Sequence, residues 1–204
     1  CESGVPCRAW SHRATPILLG CCMVRFAIKL VAACAMMTGA SAVFSHVTLA
    51  DQAAAAGAGY RAVLRVGHGC AGAATTAITV AIPSGFTSAQ PLVKPGWAVS
   101  TKIGKLEQPY EAHGKTYTEG VQEITWTAKG AENALPDAFA DEFVFRGTTP
   151  KKPGTLWFKV VQACESGRNA WVEIPAHGQN AHRLEFPAAR LDVLDVQAAG
   201  GHAH

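Results

Sequence analysis

Eight short runs of alternating or β-branched residues, each bounded by Gly, Pro or Asn, recur after residue 45 and constrain the fold more than any other feature. They are HVTLA at 46–50, YRAVLRV at 60–66, TTAITVAI at 75–82, WAVSTKI at 97–103, VQEITWTA at 121–128, EFVFRG at 142–147, TLWFKVV at 155–161 and AWVEI at 170–174. In YRAVLRV, Tyr60, Ala62, Leu64 and Val66 fall on one face and Arg61 and Arg65 on the other. That period of two is the mark of a half-buried strand. Pro83 with Gly85, Pro95 with Gly96, Pro150 with Pro153, and Pro175 all lie at run ends, where strands tolerate them. No amphipathic stretch of helical length intervenes. ENALPDAFADE at 132–142 spaces Leu135, Phe139 and Phe143 four apart, enough for one turn inside a loop. The pattern predicts an all-β sandwich.

The first 45 residues have a different logic. Residues 1–22 show neither hydrophobic period nor turn chemistry and read as spurious upstream translation. From Met23, Arg25 and Lys29 precede the uncharged run LVAACAMMTGASAVF, and Val43 and Ser45 supply small residues near a cut. Residues 23–45 therefore read as a secretory signal peptide cleaved between Ser45 and His46. The alternative, a membrane anchor, needs about 20 apolar residues, more than this run contains. The mature chain is then periplasmic or secreted, with a sandwich at 46–187. Residues 188–204, AARLDVLDVQAAGGHAH, read as a flexible tail without an apolar run that could anchor it.

Removing the leader changes the charge and the cysteine count. The whole chain carries a net charge of +3, but Arg8, Arg13, Arg25 and Lys29 against Glu2 account for all of it. A formally neutral mature chain without a basic stripe argues against nucleic-acid binding. With 49% hydrophobic residues, the whole chain has ample material for a core, which excludes a disordered chain. Cys1, Cys7, Cys21, Cys22 and Cys34 leave with the leader, so only Cys70 and Cys164 remain. One pair in an exported protein reads as one disulfide, with two buried thiols or half of a metal site as alternatives.

Most enzyme chemistries lack their parts. No Gly-x-Ser-x-Gly, no Gly-rich phosphate loop and no Cys-x-x-Cys occurs in the mature chain. Asp141 with Glu142, and Asp192 with Asp195, read as solvated surface charge. Seven of the eight histidines follow the cut, and His46 is distinctive among them. Once cleaved it presents an α-amine and an imidazole Nδ1 on one residue, a chelating pair that suits tetragonal Cu(II). The amine, with an ordinary pKa near 8, gives up its proton to a metal at modest cost. His68 sits in VGHGC beside Cys70, either as a second donor or as a turn histidine. His202 and His204 form a His-x-His tail that is either a loose metal arm or incidental composition. Trp97, Trp126, Trp157 and Trp171 suit a sandwich core, and an indole beside Cu(II) would also shield the ion from water.

These residues resemble the YcnI-like family of secreted bacterial copper-binding proteins over essentially the whole mature length. The motifs that carry the resemblance are HVTL after the leader, RVGHGC followed by TTAITVAIPSG, KPGW at 94–97, TEGVQEITW at 118–126, DEFVFRG at 141–147 and VVQACESGRNAWVEIP at 160–175. The resemblance implies an immunoglobulin-like or fibronectin-like β-sandwich. It also implies one Cu(II) held by the N-terminal histidine, with a carboxylate and a tryptophan completing the site. His46 matches the histidine; Trp171 matches the tryptophan, with Trp126 as the second candidate. The carboxylate has no clean match, because His68-Gly69-Cys70 stands where some relatives have an acidic residue. Either His68 replaces it or the second ligand comes from elsewhere.

The expected function is a non-enzymatic periplasmic Cu(II)-binding protein in copper trafficking or tolerance, whose partners are the copper ion and other copper-handling proteins of the envelope. The alternatives are a copper monooxygenase-like enzyme using a histidine brace, and an envelope interaction domain with incidental metal binding.

Overall fold

The computed structural model describes residues 46–196. The segment 1–22 read as upstream translation, the segment 23–45 expected to be a signal peptide, and His202 and His204 lie outside the described residues. In chain order the strands are β1 (Thr48–Leu49), β2 (Ala53–Ala55), β3 (Gly59–Val66), β4 (Thr75–Ala81), β5 (Thr87–Pro91), β6 (Trp97–Ala112), β7 (Lys115–Ala128), β8 (Asp141–Thr148), β9 (Gly154–Phe158), β10 (Val160–Cys164), β11 (Arg168–Trp171) and β12 (Ala189–Leu194). Two single 3-10 turns, Ala131–Asn133 and Ala181–Arg183, complete the secondary structure.

The strands form three sheets, ordered β1-β3-β8-β5, β11-β10-β4-β7-β6 and β2-β12-β9. One hydrophobic cluster draws on all three: Leu49, Leu64 and Phe143 from the first, Ile78, Ile124, Trp126 and Trp171 from the second, Phe158 and Leu191 from the third. The alternation read in β3 is realised, with Tyr60, Ala62, Leu64 and Val66 buried and Arg61 and Arg65 exposed. Edge-to-face aromatic pairs knit the layers, with Trp97 5.0 Å from Phe143 and Phe86 5.3 Å from Phe158. Such pairs add to the hydrophobic gain because ring edges and faces carry opposite partial charge.

Three features differ from the sequence expectation. The run TLWFKVV is two strands, since the chain crosses from the third sheet to the second at Lys159. Phe158 and Val160 are both fully buried on either side of the exposed Lys159, so the inward alternation continues across the switch and both strands serve the same core. The segment expected to begin a flexible tail at 188 instead carries β12, paired antiparallel with β9 and parallel with β2. Ala189, Leu191 and Val193 alternate inward along it, a period of two short enough to be mistaken for tail composition. The sandwich therefore runs past residue 187. Thirdly, β6 and β7 extend well beyond the expected runs, to 16 and 14 residues. His113 and Gly114 join them with φ of 51° and 71°, the left-handed pair a two-residue hairpin turn requires.

Cys70 and Cys164 form a disulfide with their Cα atoms 6.0 Å apart, tying the loop after β3 to the end of β10. Among the described residues no helix is long and apolar enough to cross a membrane.

Candidate metal centre

The N-terminal strand brings His46 to one end of the sandwich. β1 pairs antiparallel with β3, Thr48 opposite Arg65 and Leu49 opposite Leu64. Continuing that register outward sets His46 beside Gly67, where β3 ends and the loop bearing His68 begins. The half-buried His46 ring faces Trp171 with centroids 5.8 Å apart and planes inclined at 59°.

Trp171 is itself held on two sides. It ends β11 opposite Val160, is almost wholly buried, and packs against Phe186 at 5.3 Å. Its indole Nε1–H donates to Oε1 of Gln162 at 3.1 Å. Gln162, fully buried on β10, donates through Nε2 to the His68 carbonyl at 2.6 Å and to Thr75 Oγ1 at 2.8 Å. An indole N–H can only donate and a carbonyl can only accept, so chemistry alone fixes which way the amide faces. Both amide hydrogens of Gln162 and its oxygen are thus engaged, and the side chain couples the indole to the His68 loop. Fully satisfied buried networks of this kind hold their members in one arrangement.

The His68 loop is fastened at three consecutive residues. Gln162 holds the His68 carbonyl, Asp137 Oδ1 accepts the Gly69 N–H at 3.0 Å, and Cys70 is in the disulfide. Gly69 is required sterically, because a Cβ there would lie 1.9 Å from the Ala73 carbonyl oxygen. His68 Nδ1 lies 2.6 Å from the Gly69 carbonyl oxygen. Since that oxygen only accepts, Nδ1 carries the proton and the lone pair of the neutral ring sits on Nε2. His68 therefore offers a donor atom suited to a cation.

The carboxylates near this end have structural work. Asp137 holds Gly69, Glu173 Oε2 accepts the Phe186 N–H at 2.7 Å, and Asp141 pairs with Lys94 at 2.7 Å. Among the described residues no group of three or more His, Cys, Asp or Glu side chains could hold a metal ion. A donor outside that set at this end is the α-amine that cleavage before His46 would create.

The structure thus brings His46 and Trp171 into contact and joins Trp171 to the His68 loop through Gln162. Trp126 is placed elsewhere: it shares a row with Gln162 but lies two strands away across β4, and its Nε1–H donates to the Leu92 carbonyl at 3.1 Å. Gln162 is the member that sequence reading missed. Its signal was a polar residue in the inward register of VVQAC, between Val160 and Cys164.

Fold and disulfide together define an immunoglobulin-like β-sandwich domain. The family described as "Domain of unknown function (DUF1775)" matches residues 46–193, and the chain belongs to it. DUF1775 is the domain found in YcnI-like proteins. The match begins at His46. Among solved structures, the chain is similar to an uncharacterized protein from Nocardia farcinica with an immunoglobulin-like fold. The two are 28% identical with a TM-score of 0.56, and the similarity covers 72% of this chain and 97% of that one. No curated protein matches the chain.

Proposed function

We propose that the protein is a Cu(II)-binding protein of the periplasm or the secreted space, and that it holds or passes copper as cargo in trafficking or tolerance. The observation that carries this reading is the placement of His46, the first residue of the family domain, with its imidazole centroid 5.8 Å from the ring of the buried Trp171. Export and cleavage between Ser45 and His46 would free an α-amine on the same residue. Amine and Nδ1 then form one chelate, in which the neutral imidazole and the deprotonated amine are the donor forms. Trp171 limits water access on one side, and the Gln162 amide keeps the indole from turning away. His68, with its lone pair on Nε2, is the side chain best suited to a further donor role. Copper is bound here without chemical conversion, so no catalytic step is assigned.

The test compares the protein beginning at His46 with a version retaining one alanine before it. Calorimetric titration should give one equivalent of Cu(II) for the first and at least a tenfold weaker affinity for the second. Equal affinities would overturn the reading. Mass spectrometry of the exported protein's N-terminus checks the cleavage on which it depends.

A further inference from the structure

A second feature lies on the outer face of the first sheet, on the ladder between β3 and β8. Two cross-strand pairs of charged residues occupy this face, four residues apart. Arg65 stands opposite Glu142, and the two form an ion pair at 3.2 Å. Arg61 stands directly opposite Arg146, a like-charge pair of the kind that destabilises a sheet. Neither arginine has a carboxylate partner among the described residues. Instead Arg146 donates from Nε and Nη2 to a single oxygen, Gln90 Oε1, at 2.9 and 2.6 Å. That fork fixes the guanidinium while leaving the Nη1 donors unused. With Val63 opposite Val144 between them, one charged pair is complementary and the other is like-charged, and the like-charged pair carries a cost that folding alone does not explain.

The ground beside the pair is apolar. Arg61, Gln90, Pro91, Leu92, Val93 and Arg146 line an open groove of about 510 Å³. Val93 is 91% exposed, the most exposed large hydrophobic residue of the described chain. A double cation beside an apolar ledge matches a ligand that is anionic at one point and apolar at the next. Arginine favours carboxylates because its planar donors meet both oxygens at once. A lipid surface fits less well, since electrostatic membrane binding takes a cluster of about four to eight basic residues and Glu142 lies on the same face.

We infer that this groove docks an acidic segment of a partner protein, with a carboxylate between Arg61 and Arg146 and a neighbouring apolar side chain against Pro91 and Val93. The surface is separate from the His46 end and does not depend on copper. Contact with a carboxylate relieves the Arg61–Arg146 repulsion, so the cost in the free protein becomes selectivity for an anionic partner.

The probe is a fluorescein-labelled peptide alternating glutamate with leucine, titrated against the protein at low salt. Saturable binding is expected, weakened at least tenfold when glutamine replaces glutamate, and weakened similarly by the double variant R61Q/R146Q. Raising the ionic strength should weaken it further, because the groove is open to solvent. Arg61→Gln alone should hold or raise the Tm, since it removes the facing like charge; loss of binding with undiminished stability separates docking from a folding role. Absence of saturable binding, equal affinity for the two peptides, or binding untouched by R61Q/R146Q would overturn the inference. So would arginine-dependent binding to phosphatidylglycerol vesicles without peptide binding, which would assign the surface to a membrane.

Discussion

Replacing Gln162 with leucine is the sharpest test of how the candidate centre is held together. Leucine fills a similar volume, so the cavity contribution is small and the change is one of hydrogen bonding. Three groups lose a hydrogen bond; the Trp171 indole N–H and the His68 carbonyl are left orphaned, whereas Thr75 Oγ1 keeps its contact with Cys164 Sγ at 3.9 Å. An orphaned buried polar group costs about 1–3 kcal/mol, which sets the loss at about 2–6 kcal/mol. For a domain of this size each kcal/mol lowers the Tm by roughly 2–4 °C, so a fall on the order of 5–20 °C is expected in a thermal melt. The double variant Q162L/W171F supplies the control. Phenylalanine has no N–H to orphan, so the double variant should lose less than the two single losses added together. A Gln162→Leu protein within about 0.5 kcal/mol of the parent, well below the range set by orphaned groups, would refute the coupling. Strict additivity in the cycle would refute it as well.

Two further outcomes follow from the disulfide and from Tyr60. Cys70 and Cys164 are separated by 94 positions, so C70S/C164S should lose about 4–5 kcal/mol in denaturant unfolding through the freed unfolded chain; a loss under about 1 kcal/mol would show that the cross-link adds little. The Tyr60 hydroxyl donates to the Asp51 carbonyl, and its pKa is pushed up to about 12, first by burial and then by the Asp51 charge. The folded state therefore keeps a proton that the unfolded state releases near its ordinary value of 10. The stability this contributes is fully present below pH 10 and is lost as pH rises through about 12, by about 2–3 kcal/mol. Tyr60→Phe should flatten that alkaline limb in a pH series of unfolding curves, and an unchanged slope would count against the shift.

Much of the fold was legible locally. The two-residue period of YRAVLRV and the Gly and Pro punctuation identify strands, because a pleated backbone sends alternate side chains to opposite faces. Where the period was short or the side chains small, it failed: Ala53–Ala55 offers no contrast between faces, and ARLDVL was hidden in an alanine-rich ending. The split of TLWFKVV was illegible for another reason, since both halves are apolar and only their neighbours distinguish one sheet from the other. At the candidate centre, His46 could be singled out by residue type and position and Trp171 by the family resemblance, whereas Gln162 could not.

Chain-local information determined the class of the domain, its inward faces, and, through the count of cysteines after residue 45, the Cys70–Cys164 pairing. The tertiary structure alone decided that β12 belongs to the sandwich, that Arg61 faces Arg146, and that Gln162 joins Trp171 to the His68 loop, itself 94 residues from Gln162 in sequence. The physical reason is the range of the interactions. Alternation is written in consecutive residues, whereas a cross-strand neighbour or a buried hydrogen bond exists only once distant segments have chosen each other.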